Sequence, residues 1–348
     1  MIRIAVIEAN HWHAPLYLDA FRSPGIEVVA VSDGENGLGR RMAEQLGCRH
    51  YVSYEELIRK EAVDFAFAFG RPVDMPRIGQ ALIDARIPHV IEKPCGINLE
   101  SVRRLRQAAQ AANLYVAVPF IFRVSPLLAL IQSLEQTNPI DIQHLSFRFI
   151  AGPPSRYTTI GCGWMLDPAI SGGGPTINLA IHFIDLIQHL IGEPIVRVGA
   201  TMSALAHGGQ IEDFSALTVR TAKGVVGQVE TGYTFPSTAD EQREFSFSIR
   251  SRQQYLRSIK DGVAIRQVAA PENGTELRVI QTNTDVLYPI FSLNALGEWQ
   301  AGRTASSGLR EAEAAMAVVG AAYCSAASLG NPVAVDPFEE SPVDRTPM

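Results

Sequence analysis

The sequence has few lysines, few cysteines and no long hydrophobic run. No stretch of about 18 consecutive apolar residues occurs in its 348 residues, so a transmembrane helix is not expected. The net charge of −6, without any cluster of Lys and Arg, argues against a surface for nucleic acid or anionic membrane. A hydrophobic share of 47% and a charged share of 19% exclude a disordered, collagen-like or coiled-coil chain.

Four cysteines lie far apart in the chain: Cys48, Cys95, Cys162 and Cys324. No pair has the spacing of zinc ligands, and four cysteines in a chain of this length do not make a disulfide scaffold. The chain opens on the apolar run 2–7, without the basic and apolar regions of a secretory signal. We therefore expect a cytoplasmic protein with reduced thiols.

The first 120 residues alternate short apolar strands with amphipathic helices. Strand-like runs occupy 2–7, 26–32, 63–69, 89–91 and 114–118, and helical patterns occupy 13–22, 37–46, 74–85 and 98–112, with a short helix starting at Ser53. Apolar strands separated by helices are typical of a parallel sheet covered on both faces. This half is therefore predicted to be a doubly wound, Rossmann-like α/β domain.

After residue 120 the pattern changes to strands with few helices between them. Helices are predicted at 124–134, 175–191, 286–301 and 308–329, a Gly/Pro-rich loop at 152–174, and strands at 142–150, 196–205, 214–220, 224–233, 244–250, 263–267 and 277–281. Phe245, Phe247 and Ile249 alternate with polar residues, which indicates an antiparallel sheet with one covered face. We predict domains at 1–120 and 121–335, the second an α+β domain with a large open sheet, and an extended or disordered tail at 336–348.

The loop after the first strand lacks the glycines of the G-x-G-x-x-G dinucleotide motif. Its residues are Glu8, Ala9, Asn10, His11, Trp12 and His13. The missing glycines would permit a tight turn and a close approach of the backbone to a pyrophosphate, and Glu8 adds negative charge there. Asn10 tolerates left-handed backbone, so we predict a positive φ at Asn10 or at a neighbour. Taken alone, the loop argues mildly against ordinary dinucleotide binding.

Asp33 ends the second strand, about 20 residues after the loop, where an acidic residue holds a ribose 2′-hydroxyl in dinucleotide domains. A carboxylate there repels a 2′-phosphate, and no arginine follows directly, which favours NAD over NADP. The alternative is a simple turn, because aspartate is common at strand ends.

Lys93 follows the strand 89–91 within Glu92-Lys93-Pro94, at the edge of the sheet where ligands bind. Only four of the 30 basic residues are lysine, and a buried lysine can lower its pKa, whereas an arginine stays charged. A lysine in this place is therefore a candidate for chemistry. The alternative is a surface lysine in a proline turn.

A row of polar side chains lies on an otherwise apolar predicted helix that follows the triple glycine 172–174. Asn178 and His182 are four residues apart and share a face, with Asp185 three further on. Such residues are costly to bury without partners, so they are candidates for a site. A satisfied core network is the alternative. A metal site is not expected, since no acidic cluster is near.

Together these features resemble the glucose–fructose oxidoreductase / inositol dehydrogenase / MocA family of NAD(P)-dependent oxidoreductases, over nearly the whole chain. The matching motifs are Glu92-Lys93-Pro94, Val118-Pro119-Phe120 with Arg123 and Pro126, Trp164 with Asp167 before the triple glycine, His182 with Asp185, and Gly308-Leu309-Arg310-Glu311. The resemblance implies a Rossmann domain followed by a domain with an open antiparallel sheet. It also implies hydride transfer between a nicotinamide and a hydroxyl or carbonyl carbon of a sugar-like or polyol-like compound.

The resemblance also implies site residues and partners. Lys93 and His182 would be catalytic; Asn178, Trp164, Arg123 and Asp185 would bind substrate; Glu8, Ala9, Asn10, His11, Trp12, Asp33, Gly70, Glu92 and Lys93 would bind cofactor; no residue would bind metal. The expected cofactor is NAD, with NADP less expected. The expected partners are a small sugar-like substrate and further copies of the chain, as a homodimer or homotetramer through the C-terminal sheet, with no nucleic acid or membrane.

The chain departs from the family at several positions near the expected site. The family commonly has Asp at Asn178, Thr-Pro with a downstream His where this chain has Gly70-Arg71-Pro72 and Met75, and Asn-Arg at Ile121-Phe122. Arg71 is a candidate contact for a phosphate or an acidic substrate. Two alternatives therefore stay open: a non-catalytic ligand-binding or regulatory relative, and a glycoside-cleaving enzyme that uses tightly bound NAD.

Overall fold

The computed structural model describes residues 1–34, 37–136, 140–238 and 240–336, so most of the predicted tail lies outside the described residues. Its first sheet has six parallel strands: β1 (Ile2–Ile7), β2 (Ile26–Ser32), β3 (Arg49–Tyr51), β4 (Phe65–Ala68), β5 (His89–Ile91) and β6 (Val116–Ala117). The strand order is β3-β2-β1-β4-β5-β6. This is the doubly wound order of dinucleotide-binding domains, in which ligands bind at the carboxyl ends where β1 and β4 diverge. The predicted Rossmann-like sheet is confirmed.

The helices of this half begin and end where local chemistry predicts. They are α1 (Leu18–Phe21), preceded by a 3₁₀ turn at Ala14–Tyr17, then α2 (Leu38–Leu46), α3 (Tyr54–Lys60), α4 (Met75–Asp84) and α5 (Leu99–Ala111). The Ser53 hydroxyl accepts from the Glu56 N–H at 3.1 Å, and Asn98 Oδ1 accepts from the Ser101 N–H at 2.9 Å. Both are N-caps, and Gly47 ends α2 with a φ of 66°.

The second sheet has nine strands: β7 (Ile142–Ala151), β8 (Ile195–Ser203), β9 (Phe214–Thr221), β10 (Val226–Gly232), β11 (Arg243–Ser251), β12 (Gln254–Ile259), β13 (Gly262–Gln267), β14 (Glu276–Val279) and β15 (Val333–Ala334). Their order is β14-β13-β12-β11-β7-β10-β9-β8-β15. The sheet is mainly antiparallel, as predicted, but its central pair β7 and β10 is parallel. The chain between these two strands runs through several helices and through β8 and β9, because parallel neighbours need a long crossover connection.

Helices cover one face of this sheet and leave the other polar. The helices of this half are α6 (Pro126–Glu135), α7 (Ser155–Thr159), α8 (Pro168–Ser171), α9 (Ile181–Ile191), α10 (Leu287–Gln300) and α11 (Leu309–Ala327). Phe147 and Val229 are fully buried, whereas Arg148 pairs across the strands with Glu230 and Glu244. The alternation therefore has the predicted period of two.

The last helices return to the first sheet. The Val118 N–H donates to the Ser307 carbonyl at 2.9 Å, and the Ser307 hydroxyl donates back to the Val118 carbonyl at 2.7 Å. Buried Glu313 of α11 pairs with Arg103 and Arg106 of α5. These contacts hold the two sheets together. The domain assignment 1–120, 121–335 and 336–348 stays a prediction.

Several short elements were not predicted. The strands β3, β12 and β15 fall outside the predicted strands, and the predicted loop 152–174 contains α7, α8 and a 3₁₀ turn at Gly163–Leu166. The strands β3 and β15 have too few positions to show a period, and apolar and polar residues do not alternate strictly along β12. None of the helices in the described ranges has the length and apolar character needed to span a membrane.

Candidate active site

A cleft lies where the carboxyl edge of the first sheet meets the start of α9. Its space, open mouth included, is about 520 Å³. Its lining includes Trp12, His13, Lys93, Arg156, His182 and Tyr288. Lys93 and His182 therefore line one cleft, whereas Asn178 contacts the ammonium of Lys93 rather than the open space.

Lys93 follows β5 directly and is buried. Its ammonium donates to the backbone carbonyl and to the side-chain Oδ1 of Asn178, both at 2.7 Å. Burial lowers the pKa of Lys93 to about 8, although the neighbouring Glu92 carboxylate acts in the opposite direction. The lysine is therefore mostly protonated at neutral pH and close to the point at which it loses its proton.

Asn178 lies in a π-turn rather than in the regular helix predicted for 175–191. The turn covers Thr176–Ala180 and leads into α9. A π-turn joins carbonyls to residues five positions on, so the simple four-residue spacing assumed for Asn178 and His182 does not hold. The Asn178 amide group also donates to the Tyr157 hydroxyl at 3.1 Å and to the Tyr233 hydroxyl at 2.7 Å. The amide is therefore fixed in one orientation.

The triple glycine before the π-turn is explained by close packing. At Gly173, whose φ is 147°, a Cβ would lie 2.0 Å from the Tyr323 hydroxyl. The Glu212 carboxylate accepts the N–H groups of Gly174 and Thr176, both at 3.0 Å. Glu212 therefore anchors the start of the turn that carries Asn178. No local pattern in the sequence marks Glu212, because it lies on a loop that is distant along the chain.

His182 is buried at the first turn of α9. Its Nδ1 has no hydrogen-bond partner within the described part of the chain. Burial holds the pKa of His182 well below its usual value, and the positive charge of Lys93 acts in the same direction. The ring is therefore neutral at neutral pH and able to accept a proton.

The loop after β1 takes a left-handed backbone at Glu8, with a φ of 53°. This confirms the predicted positive φ, at a neighbour of Asn10 rather than at Asn10. The N–H groups of Glu8 and Ala9 donate to Ser32 at 3.0 and 2.9 Å, which ties the loop to β2. Burial, then the Asp33 charge, raise the pKa of Glu8 to about 7. The negative charge expected here is therefore only partial at neutral pH.

A buried chain of hydrogen bonds begins at His13 and Tyr288 in the lining of the cleft. His13 Nδ1 is 3.2 Å from Glu92 Oε1, and its Nε2 is 2.9 Å from the Tyr288 hydroxyl. The Tyr17 hydroxyl donates to Glu92 Oε2 at 3.0 Å, and the His13 N–H donates to His11 Nδ1 at 3.1 Å. Burial lowers the pKa of both histidines well below the usual value. His13 was not among the predicted site residues, although a His-x-His after a strand is a visible signal.

His11, His13 and Glu92 are also the kind of group that can hold a metal. One ligand atom from each lies within 4.8 Å of the others. The hydrogen bonds to Tyr17, to Tyr288 and within the group already account for these side chains. The prediction of no metal residue therefore stays a prediction.

A second cavity lies at the carboxyl ends of β1 and β4, lined by Glu8, Asn10, Gly34, Gly70, Arg71 and Arg77. Asn10 Oδ1 is a buried acceptor without a partner among the residues described. Asp33 stands at the end of β2, and its Oδ2 accepts the Gly39 N–H at 2.7 Å. The position of the cavity at the edge of the sheet, the available acceptor on Asn10 and the partly neutral Glu8 are compatible with a bound dinucleotide.

Two predicted substrate residues are bound to each other. Arg123 and Asp185 form a buried bidentate pair, with Nε–Oδ2 at 2.9 Å and a second contact at 2.7 Å. Neither lines the cleft. Trp164 packs its ring 5.6 Å from that of His11. Direct contact of these three side chains with a substrate stays a prediction.

Comparisons with known proteins place these features in a family. A model described as the oxidoreductase family with an NAD-binding Rossmann fold matches residues 2–120, and the GFO/IDH/MocA C-terminal domain matches residues 141–250. The inositol 2-dehydrogenase of Rubrobacter xylanophilus is 26% identical over 61% of this chain. That alignment spans only 58% of the dehydrogenase.

Solved structures share the fold across almost the whole chain. An oxidoreductase domain protein from Kribbella flavida has a TM-score of 0.84 at 15% identity, covering 97% of this chain and 100% of its own. Levoglucosan dehydrogenase in complex with NADH and levoglucosan has a TM-score of 0.83 at 17% identity, with coverage of 97% and 100%. Together with the two matching family models, the fold and the motifs lead to one assignment: the chain belongs to the GFO/IDH/MocA family of oxidoreductases, whose N-terminal domain is an NAD-binding Rossmann fold.

Proposed function

We propose that this protein is an NAD-dependent oxidoreductase that transfers a hydride between the nicotinamide and a hydroxyl or carbonyl carbon of a sugar-like or polyol-like substrate. The observation that carries the proposal is the pairing, in one cleft, of the protonated Lys93 with the neutral His182. Oxidation of an alcohol needs a group that takes the hydroxyl proton and a group that stabilises the oxygen. These two side chains meet that need.

In the oxidation direction, His182 accepts the hydroxyl proton while the Lys93 ammonium donates a hydrogen bond to the same oxygen. Asn178 Oδ1 accepts a hydrogen bond from the same ammonium at 2.7 Å, which fixes the direction of the lysine side chain. When bound, NAD supplies the hydride acceptor. In the reverse direction the proton returns from the histidine to the carbonyl oxygen.

The cofactor would be held by residues around the second cavity. Asn10 supplies a buried acceptor, and Asp33 supplies a carboxylate at the end of β2. Glu8, Gly70 and the backbone of the β1 loop surround the same space. The carboxylate of Asp33 supports NAD over NADP, because it repels a 2′-phosphate.

Two observations favour the alternative of a non-catalytic relative: the loop without glycines and the amide at Asn178. An equilibrium NAD titration followed by a screen for NADH formation with inositols, levoglucosan and other polyols separates the readings. NAD binding with NADH formation supports the proposal. Absence of NAD binding supports the non-catalytic reading. Tight NAD binding with glycoside cleavage and no NADH release supports the alternative of a glycoside-cleaving enzyme that uses tightly bound NAD.

We also propose that the polar face of the nine-stranded sheet joins copies of the chain into a homodimer or homotetramer. This face carries Arg148 with Glu230 and Glu244, whose side chains are about two-fifths exposed. Light scattering after gel filtration measures the mass directly. A monomer at micromolar concentration would overturn this part.

A further inference from the structure

We propose that the cleft binds a carboxylate of its substrate at Arg156, and that the compound oxidised is a polyhydroxy acid, such as an aldonate or uronate, rather than a neutral sugar. The proposal deepens the proposed function and rests on it for the chemistry at the other end of the cleft. The carboxylate is unchanged in the reaction. The carbon that loses hydride carries a hydroxyl held between Lys93 and His182.

Arg156 enters the cleft from α7, inside the segment that the sequence predicted to be a loop. Its guanidinium carbon lies 4.7 Å from the centre of the Tyr157 ring, 5.5 Å from that of Tyr233 and 5.7 Å from that of Trp12. One terminal nitrogen donates to the Tyr157 hydroxyl at 2.7 Å. Aromatic faces hold a cation in place without cancelling its charge. The guanidinium is therefore preorganised and still positive.

The same guanidinium has unused hydrogen-bonding capacity. Its Nε is buried and has no hydrogen-bond partner, and no carboxylate pairs with Arg156, within the ranges that the structure describes. A buried donor left unpaired is unfavourable. The planar fork of an arginine matches the two oxygens of a carboxylate. A ligand carboxylate would satisfy both the donor and the charge.

The other charged groups of the lining leave a surplus of positive charge. Arg243 is neutralised by Asp285 through two contacts of 2.9 and 2.8 Å. Lys93 and Arg156 remain as two cations, while His13 and His182 are neutral. A cleft whose lining carries net charge of one sign attracts ligands with charge of the opposite sign.

Lys93 and Arg156 are also within electrostatic reach of each other. The positive charge of Arg156 contributes to the lowered pKa of Lys93 and of His13. An anion placed between the two cations removes this repulsion. A neutral sugar would leave both the repulsion and the unpaired Nε in place. The charges and the hydrogen-bonding capacity therefore favour the same class of ligand.

The test compares matched acids and neutral compounds. Calorimetry on the NADH-loaded protein measures binding of D-gluconate and D-glucuronate against D-glucitol and D-glucose, and absorbance measures NADH formation from the same compounds with NAD. We expect the acids to bind at least about 10-fold more tightly. Arg156→Gln should weaken acid binding about 10- to 100-fold and leave neutral compounds and NAD unchanged.

Two further variants and a control keep the test decisive. Arg156→Lys keeps the charge and should retain part of the acid affinity. Asp285→Asn removes the carboxylate that neutralises Arg243 and should tighten acid binding. Arg252→Gln makes the same change on the exposed surface, where Arg252 pairs with Asp141, and should change nothing.

The outcomes distinguish this inference from the proposed function. Equal binding of acids and neutral compounds, or an equal loss for both in Arg156→Gln, would overturn the inference. NADH formation from neutral polyols alone supports the proposed function and overturns the carboxylate site. Acid binding that depends on Arg156 without NADH formation supports the carboxylate site and contradicts the proposed oxidation of these acids. If the acids are neither bound nor oxidised, the carboxylate site is overturned, and so is the proposed oxidation for this class of compound.

Discussion

The ammonium nitrogen of Lys93 lies 2.7 Å from two oxygens of one residue, the backbone carbonyl and the side-chain Oδ1 of Asn178. The contact joins the edge of the first sheet to the turn before α9. An amide oxygen orients the lysine but adds no net charge. Burial can therefore lower the pKa of Lys93 to about 8, which a carboxylate in the same place would oppose.

Replacement of Lys93 or His182 by alanine should mainly lower kcat. Each variant removes a group that we propose to contact the reacting oxygen, and losses of this kind are about 10²- to 10⁴-fold. Steady-state kinetics on the true substrate measures the effect. Lys223→Ala, at an exposed lysine paired with Glu193, is the matched control. Near wild-type kcat in either site variant would show that the catalytic assignment is wrong.

Asn178→Asp should move the alkaline limb of the pH–rate profile to higher pH without abolishing turnover. The proposed mechanism needs the protonated lysine, so activity should fall as pH rises through the pKa of Lys93, near 8 in this protein. A carboxylate at 178 favours the charged ammonium and raises that pKa. The measurement is kcat against pH for both proteins. A limb that stays in place would mean that another group controls it.

We expect the protein to lose stability as pH rises, and we expect Glu8→Gln to remove this loss. The pKa of Glu8 is raised from 4.5 to about 7 by folding, so the folded chain binds this proton more tightly than the unfolded chain. The stabilising effect of the proton is present below about pH 4.5 and is lost as pH rises through 7, by roughly 1–3 kcal/mol. Urea unfolding at pH 5 and pH 8 measures the difference. Glu27→Gln, at an exposed residue of β2, is the control. If the stability of Glu8→Gln depends on pH as that of the unchanged protein does, Glu8 is not the group responsible.

NAD should bind at least about 10-fold more tightly than NADP, because the proposed role of Asp33 is to accept from a 2′-hydroxyl, and its carboxylate would repel a 2′-phosphate. Asp33→Asn should narrow the difference, since the amide carries no charge. Fluorescence titration gives both dissociation constants. Tighter binding of NADP to the unchanged protein would overturn the cofactor preference.

Asp185→Asn should destabilise the protein more than it alters chemistry. Asp185 and Arg123 are 2% and 10% exposed, and the change leaves a buried guanidinium without its anion, which costs about 3–5 kcal/mol. Chemical denaturation measures the loss. The double variant Asp185→Asn with Arg123→Met should recover much of it, because both charges are then absent. A stable single variant with a raised KM would instead support a direct role in substrate binding.

The sequence predicted most of the fold because its signals are local. The apolar runs of β1 and β2, the N-caps at Ser53 and Asn98 and the stop at Gly47 each lie within a few neighbouring residues. Strands of two or three residues such as β3 and β15 carry no such period. They form because a longer strand already offers its edge.

The site was predicted in part for the same reason. Lys93 was found from its place after a strand and from the scarcity of lysine, and His182 from its polar row. The roles of Arg156, Glu212 and Tyr288 depend on contacts with residues far away in the chain. No local pattern reports such contacts, so only the folded chain brings them together.

The π-turn at Thr176–Ala180 makes the site sensitive to insertions and deletions. A π-turn amounts to one extra residue in a helix, and each helical residue adds about 100° of rotation. A homologue shorter by one residue in this segment could keep Asn, His and the helix, yet turn the amide away from Lys93. A gap in a sequence alignment at this point would therefore mark a change in the geometry of the site even where every functional residue is conserved.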